Sequence, residues 1–287
     1  MPAHSLGNEA VRMNIGNQQG YLTLSRMPAP SVDKFRCRLP RLTRVPPSTP
    51  VRLMLAVALL GSLLFADRAR AADFHHFVHN GHTIDYALVL PDHFDKTKPY
   101  SVLLALPPGD QSRQLVEAGL NLYWEAEAKR RGWVVISPAA PEGESFYTGL
   151  DKELPSLLDE VAKSVLFEGG KAHLAGVSNG GLSAYRVITE FPDRFLSLTV
   201  LPGIPPDARA FATLDRLQGI PVAAFAGGED TEWVRGSRET KQELDRLGIQ
   251  NTLTIVPGEG HVIRLDPAAL FDLLDQRRPR STATVVP

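Results

Sequence analysis

The chain has 287 residues, 43% hydrophobic and 22% charged, with a net charge of −1, the balance of an ordinary globular enzyme. Residues 72–287 hold 21 of the 31 Lys and Arg and 29 of the 32 Asp and Glu, a net charge of −8, which argues against a nucleic-acid partner. The only cysteine, Cys37, lies outside that stretch, which excludes a disulfide framework and a thiol nucleophile within it.

Met1–Pro50 carries no apolar period and clusters prolines at 40, 46, 47 and 50. It reads as a disordered or mis-assigned extension. Arg52 then precedes an apolar run, Leu53–Ala66, and the run is followed by Ala69-Arg70-Ala71. A basic start, a short apolar core and an A-x-A site are the parts of a secretory signal peptide, and the run is short for a membrane span. Residues 51–71 are therefore expected to direct export, with cleavage near Ala71 into the periplasm or beyond and no stable membrane insertion afterwards.

Two strand-like runs come next, Phe74–His79 and His82–Leu90, joined by Asn80-Gly81, the dipeptide of a two-residue type I′ turn. That turn sets His79 opposite His82. Together with His75 and His76 they bring a metal site to mind, but no cysteine or carboxylate completes a ligand set, and none is expected. Tyr100–Leu106 is a continuous apolar run, as in a central parallel strand covered on both faces. A helix is expected over Leu115–Arg131, with Leu120, Leu122, Tyr123 and Ala126 on its apolar side and Gly132 as its stop. Trp133–Ser137 is the next buried strand, and Pro138–Gly149 a long loop. Leu154–Phe167 has helical spacing, and Ala172–Ala175 is a short buried strand followed by a helix through Leu182, Tyr185 and Ile188. Phe195–Leu201, Pro221–Ala226 and Asn251–Val256 read as strands, Thr231–Leu247 and Ala268–Leu274 as helices, and Arg277–Pro287 as a flexible tail. The alternation predicts one α/β domain over residues 72–276: a mostly parallel sheet with an N-terminal antiparallel hairpin and helices on both faces. The widest insertions, Pro138–Gly149 and Pro202–Ile220, are too short for a large lid.

Chemistry concentrates at Gly176-Val177-Ser178-Asn179-Gly180, between a strand and a helix. A turn this sharp tolerates no bulky side chain at its flanks. It holds the serine hydroxyl above the sheet, beside a helix N-terminus. Here the chain resembles the alpha/beta-hydrolase family, from about Phe74 to Leu274. A serine hydroxyl needs a base, and His261 is the only histidine after Ser178; it lies in Gly258-Glu259-Gly260-His261, just past the last strand. His173 lies inside the elbow strand, and His93 in a loop before the serine. The family order of serine, acid and histidine puts the acid in Gly227-Gly228-Glu229-Asp230. The resemblance favours Asp230, with Glu229 as the alternative.

For the oxyanion, the N–H of Asn179 is one expected donor. In the family the second comes from the loop after Tyr100–Leu106, which usually begins His-Gly. Here it reads Pro107-Pro108-Gly109, and prolines have no N–H. Gly109 or Asp110 is therefore favoured, with Gln111 also open. Asp110 and Arg113 read as a surface ion pair. Trp124, Phe146, Tyr147 and Trp233 lie in segments able to line a pocket.

The resemblance implies a cofactor-free serine hydrolase acting on a small-molecule or polymeric carboxylic ester, and is similar to small esterases of feruloyl or polyester substrates. A peptidase acting on short peptides and a non-catalytic binding protein on the same fold are the competing expectations. The sequence does not fix the oligomeric state.

Overall fold

A computed structural model describes residues 72–279; the expectations placed on the extension, the signal peptide and residues 280–287 lie outside them. β1 (Phe74–His79) and β2 (His82–Val89) form the hairpin. Asn80 and Gly81 both adopt positive φ, +48° and +82°, as a type I′ turn requires, and His79 pairs with His82. The remaining strands are β3 (Pro99–Leu106), β4 (Trp133–Ala139), β5 (Leu166–Phe167), β6 (Ala172–Gly176), β7 (Phe195–Val200), β8 (Val222–Gly227) and β9 (Asn251–Val256). Sheet order is β1-β2-β4-β3-β6-β7-β8-β9, with the short β5 paired to the start of β3. Among the described residues, only the β1–β2 and β2–β4 pairings are antiparallel.

The sheet separates two apolar layers, and the strand period of two decides which residue enters which. Val102, Leu104 and Leu106 of β3 join one layer with α3 (Leu154–Val161), α4 (Asn179–Glu190) and Leu244 of α6 (Thr231–Arg246). Leu103 and Ala105 face the other layer, built with Val116 of α1 (Arg113–Gly119), Ala128 of α2 (Glu125–Arg131) and Phe271 of α7 (Pro267–Asp275). Helices thus cover both faces, and a short helix α5 (Ala208–Ala212) follows β7. Among the described residues, no helix is long and apolar enough to cross a membrane.

Three elements depart from the sequence pattern. The helix expected over Leu115–Arg131 contains a π-helical turn, Leu120–Trp124, between α1 and α2. The wider turn shifts the apolar face: Leu122 and Ala126 are exposed, whereas Trp124 and Ala128 are buried. The helix expected to reach Phe167 stops at Val161, because Val165 returns to the core and Leu166–Phe167 find strand partners at Pro99 and Tyr100. The expected tail is anchored at its start. The Arg277 guanidinium donates to the Leu198 carbonyl at 3.1 Å, and burial lowers its pKa to about 10. Arg278 lies over the Trp133 ring and donates to the Arg131 carbonyl at 2.8 Å. Asp275 joins this cluster by accepting from the Trp133 indole at 2.8 Å and from Arg131.

His173 in β6 is fully buried against Trp133, with Nδ1 2.8 Å from the Ser197 hydroxyl. Burial, with the Arg277 and Arg278 charges nearby, pushes its imidazole down to about 4. The unfolded chain takes up this proton first, so the stability His173 confers is complete above pH ~6.5 and is lost as pH falls towards 4. Urea unfolding of residues 72–287 is expected to lose about 2–3 kcal/mol between pH 7 and 4.5 through this group. His173→Gln should flatten that part of the profile; an unchanged slope would contradict the assignment.

Candidate active site

Ser178 ends the β6 turn with φ +55° and ψ −116°, a strained conformation for a residue with a Cβ. The surroundings leave it little choice. A Cβ on Gly180 would sit 2.1 Å from the Leu106 carbonyl oxygen, and one on Gly176 2.1 Å from the Gly180 carbonyl oxygen. Helix α4 therefore starts in backbone contact with the end of β3. The Val177 N–H donates to Leu106 O at 3.2 Å and the Ser178 N–H to Pro202 O at 3.0 Å, which fixes both sides of the turn.

Three carboxyl-end loops converge here. The Ser178 hydroxyl lies 2.6 Å from His261 Nε2, and His261 Nδ1 lies 2.6 Å from Asp230 Oδ2. Asp230 follows β8 and starts α6, yet its carboxylate turns to the imidazole instead of capping the helix. Glu229 is exposed and engages the His261 loop only through its N–H, 3.0 Å from the Glu259 carbonyl. Gly227 lets the two loops touch, since a Cβ there would lie 1.9 Å from Gly260 O. Glu259 accepts from the Arg264 N–H at 3.0 Å.

Tyr123, delivered by the π turn, donates to the carbonyl of the buried Ile263 at 2.7 Å. Burial, with the Glu259 charge nearby, pushes the Tyr123 phenol up to about 12, so it stays a donor. The sequence marked Tyr123 only as apolar; nothing local signals that its hydroxyl crosses 140 positions to brace the histidine loop.

The loop after β3 also reaches the start of α4. Asn179 Nδ2 donates to Gly109 O at 2.8 Å, tying this loop to the start of α4. Gly109 and Gln111 have φ of +58° and +60°. The Gln111 N–H is committed to Pro108 O at 3.0 Å, which leaves Gly109 and Asp110 as the candidate donors beside Asn179. Gln111 has another task. Fully buried, it donates to the Ser183 hydroxyl at 3.0 Å and to Pro107 O at 3.3 Å, and accepts from the Phe146 N–H at 2.9 Å. The Asp110 carboxylate accepts from the Ser112 N–H at 3.0 Å, and hydrogen bonds from Ser112 hold it below the usual carboxylate range. It does not pair with Arg113, whose guanidinium reaches Asp85 at 2.7 Å and covers the Phe74 ring.

Two of the four aromatics expected in a pocket belong to the core. Trp124 packs edge-on to Phe271, and Phe146 is fully buried; the π turn and the Gln111 bond draw them inward. Tyr147 is half-buried. Trp233 alone is in ring contact with a site residue, its centroid 5.2 Å from that of His261. Three of the four hairpin histidines pair with carboxylates, His76 with Asp85 at 2.5 Å, His79 with Glu153 at 2.5 Å and His82 with Glu144 at 3.5 Å, and His75 stacks on Tyr86. Among the described residues no three metal-ligating side chains converge.

No protein-family model and no curated protein matches the chain. Solved structures do. A thermostable esterase superposes with a TM-score of 0.55 and 19% identity over 65% of this chain, which spans only 55% of that esterase. An S-formylglutathione hydrolase from Agrobacterium tumefaciens gives 0.57 and 16%, covering 72% of this chain and 95% of its own. Porphyromonas gingivalis dipeptidyl peptidase 4 gives 0.57 and 16%, covering 76% of this chain and 36% of its own. The chain has the alpha/beta-hydrolase fold. In this alpha/beta-hydrolase sheet, Ser178, Asp230 and His261 follow β6, β8 and β9 and meet at the carboxyl edge, where such sheets place their sites.

Because Gly227 sets the spacing of the acid and histidine loops, Gly227→Ala is expected to cost about 3 kcal/mol. A lowered urea midpoint and an altered His261 imidazole resonance would register it. A variant with both readouts unchanged would show that the close approach is dispensable.

Proposed function

We propose that the chain is an exported serine hydrolase that cleaves a carboxylic ester through an acyl-enzyme. The observation that carries this reading is the continuous relay from the Ser178 hydroxyl through His261 to Asp230, two contacts of 2.6 Å joining residues 83 and 31 positions apart. A weak nucleophile, a base and a group that orients the base stand in the order acyl transfer requires. The esterase and the S-formylglutathione hydrolase among the fold neighbours support the same reaction class, and the apolar run before Ala69-Arg70-Ala71 supports export.

In this mechanism Ser178 Oγ attacks the ester carbonyl while His261 Nε2 takes its proton. Asp230 holds the proton-bearing Nδ1 and stabilises the imidazolium that forms. The negative oxygen of the tetrahedral intermediate is met by the N–H of Asn179 and that of Gly109 or Asp110. Collapse breaks the bond to the alcohol, which leaves with the proton from His261. Water, activated by the same histidine, then releases the acid. No step calls for a cofactor.

Intact mass after treatment with a fluorophosphonate tests the reading. One adduct is expected on residues 72–287 and none on Ser178→Ala. A folded protein that forms no adduct would refute an activated serine and leave the binding-protein alternative. His261→Ala and Asp230→Asn should each lower kcat/KM for a simple ester by about a thousandfold or more. Comparing ester with aminoacyl-amide turnover separates esterase from peptidase, and faster amide turnover would favour the peptidase.

The tether from Asn179 to Gly109 gives a finer prediction. Asn179→Ala keeps the backbone donor but frees the β3 loop. It should lower kcat about tenfold with little change in KM, a loss confined to the transition state. Steady-state kinetics on a soluble ester read both constants.

A further inference from the structure

The chemistry proposed above divides the surroundings of Ser178 in two. The oxyanion faces Asn179 and the β3 loop. The departing alcohol must lie within hydrogen-bond reach of His261 Nε2, which returns the proton to its oxygen. Whatever flanks His261 is therefore next to the leaving group.

One aromatic ring lies against the imidazole, and one exposed apolar residue follows it in the chain. Trp233, in the first turn of α6, tilts against the His261 ring, the centroids 5.2 Å apart and the planes at 52°. Its neighbour Val234 is buried, but Trp233 stays half-exposed, so the indole spends its surface on the site and not on the core. Val262 follows His261 directly and is 63% exposed. Of the large hydrophobics that stand out as exposed among the described residues, Val78, Leu122, Leu166 and Val262, only Val262 adjoins a candidate site residue. The charges beside them are mixed: Glu232 pairs with Arg235 on α6, Glu229 is exposed, and Glu259 shares the His261 loop with the exposed Arg264.

We propose that Trp233 and Val262 form an apolar shelf for the leaving alcohol, selecting esters of aromatic or bulky apolar alcohols over small ones. The proposal rests on the serine-hydrolase reading and adds which half of the ester is recognised. In acylation the Ser178 Oγ–carbonyl bond forms and the carbonyl–alcohol bond breaks, the proton passing from Ser178 through His261 to the alcohol oxygen. In deacylation the alcohol is gone and water takes its place. A shelf for the alcohol therefore acts in acylation alone, whereas an acyl pocket acts in both steps.

The test uses two unactivated acetates, methyl and benzyl, together with the deacylation rate constant from a p-nitrophenyl acetate burst. Trp233→Ala should lower the benzyl-to-methyl ratio of kcat/KM about tenfold, and Val262→Ser about threefold, the range expected for an aromatic contact and a small apolar one. Trp233→Phe should restore most of the ratio, which a mere loss of folding would not allow. The deacylation constant should hold, because the alcohol has left before that step and both acetates give the same acetyl-enzyme. An unchanged benzyl-to-methyl ratio, or a change that instead follows the acyl group when methyl acetate is compared with methyl benzoate, overturns the shelf while leaving the hydrolase reading intact. Absence of both fluorophosphonate adduct and ester turnover in the wild type overturns the hydrolase reading and the shelf with it.

Discussion

The structure depends on backbone meeting backbone at the carboxyl ends of the strands. Helix α4 can begin where it does only because Gly176 and Gly180 let its first turn rest on the Leu106 carbonyl. Were the helix displaced by a methyl group, Ser178 would leave its strained conformation and the Asn179 tether to Gly109 would lengthen. The same device recurs two strands away, where Gly227 lets the loop after β8 lie against Gly260. Two contacts without side chains thus set the spacing of three side chains. Precision in a site comes more readily from packed main chain, whose dihedrals are held by strands and helices, than from long flexible side chains.

Around this centre the bracing is polar and buried. Gln111 spends its side-chain amide and carbonyl on three partners in three segments, and Tyr123 spends its hydroxyl on the histidine loop. Each is costly to bury without partners and stabilising with them. They hold the loops through buried partners, while Ser178 is half-buried and His261 exposed. Among the described residues no large lid stands between the strands, so on the proposed hydrolase reading an ester would meet the site at the surface, with the proposed shelf beside His261 supplying apolar area.

Much of this was legible in the chain, for physical reasons. Asn80-Gly81 announced its turn because few dipeptides accept two positive φ values. The continuous apolar runs of β3 and β4 announced central strands because both faces are covered. The glycines around Ser178 and the position of His261 after the last strand pointed to one edge of one sheet. What stayed hidden depends on distant partners. No local spacing encodes a π turn, so Trp124 looked available for a pocket when it belongs to the layer with Phe271. The helix from Leu154 looked longer because Val165 fits a helical period, yet pairing with β3 wins over propensity at Leu166–Phe167. Arg277 and Arg278 looked like a polar tail because their partners, the Leu198 carbonyl and the Trp133 ring, lie in strands read much earlier in the chain.

That last arrangement also governs when the fold can be completed. Arg278 closes on the Arg131 carbonyl across 147 positions, and the Asp275 cluster under it joins the end of the chain to Trp133 at the start of β4. Contacts of such separation carry a loop-closure cost that local pairs do not, and they raise the contact order that slows folding. During synthesis the sheet can assemble strand by strand, but this clasp cannot form until α7 and Arg278 have left the ribosome. Until Arg278 emerges, the corner between α2 and β4 therefore lacks its fastening to α7.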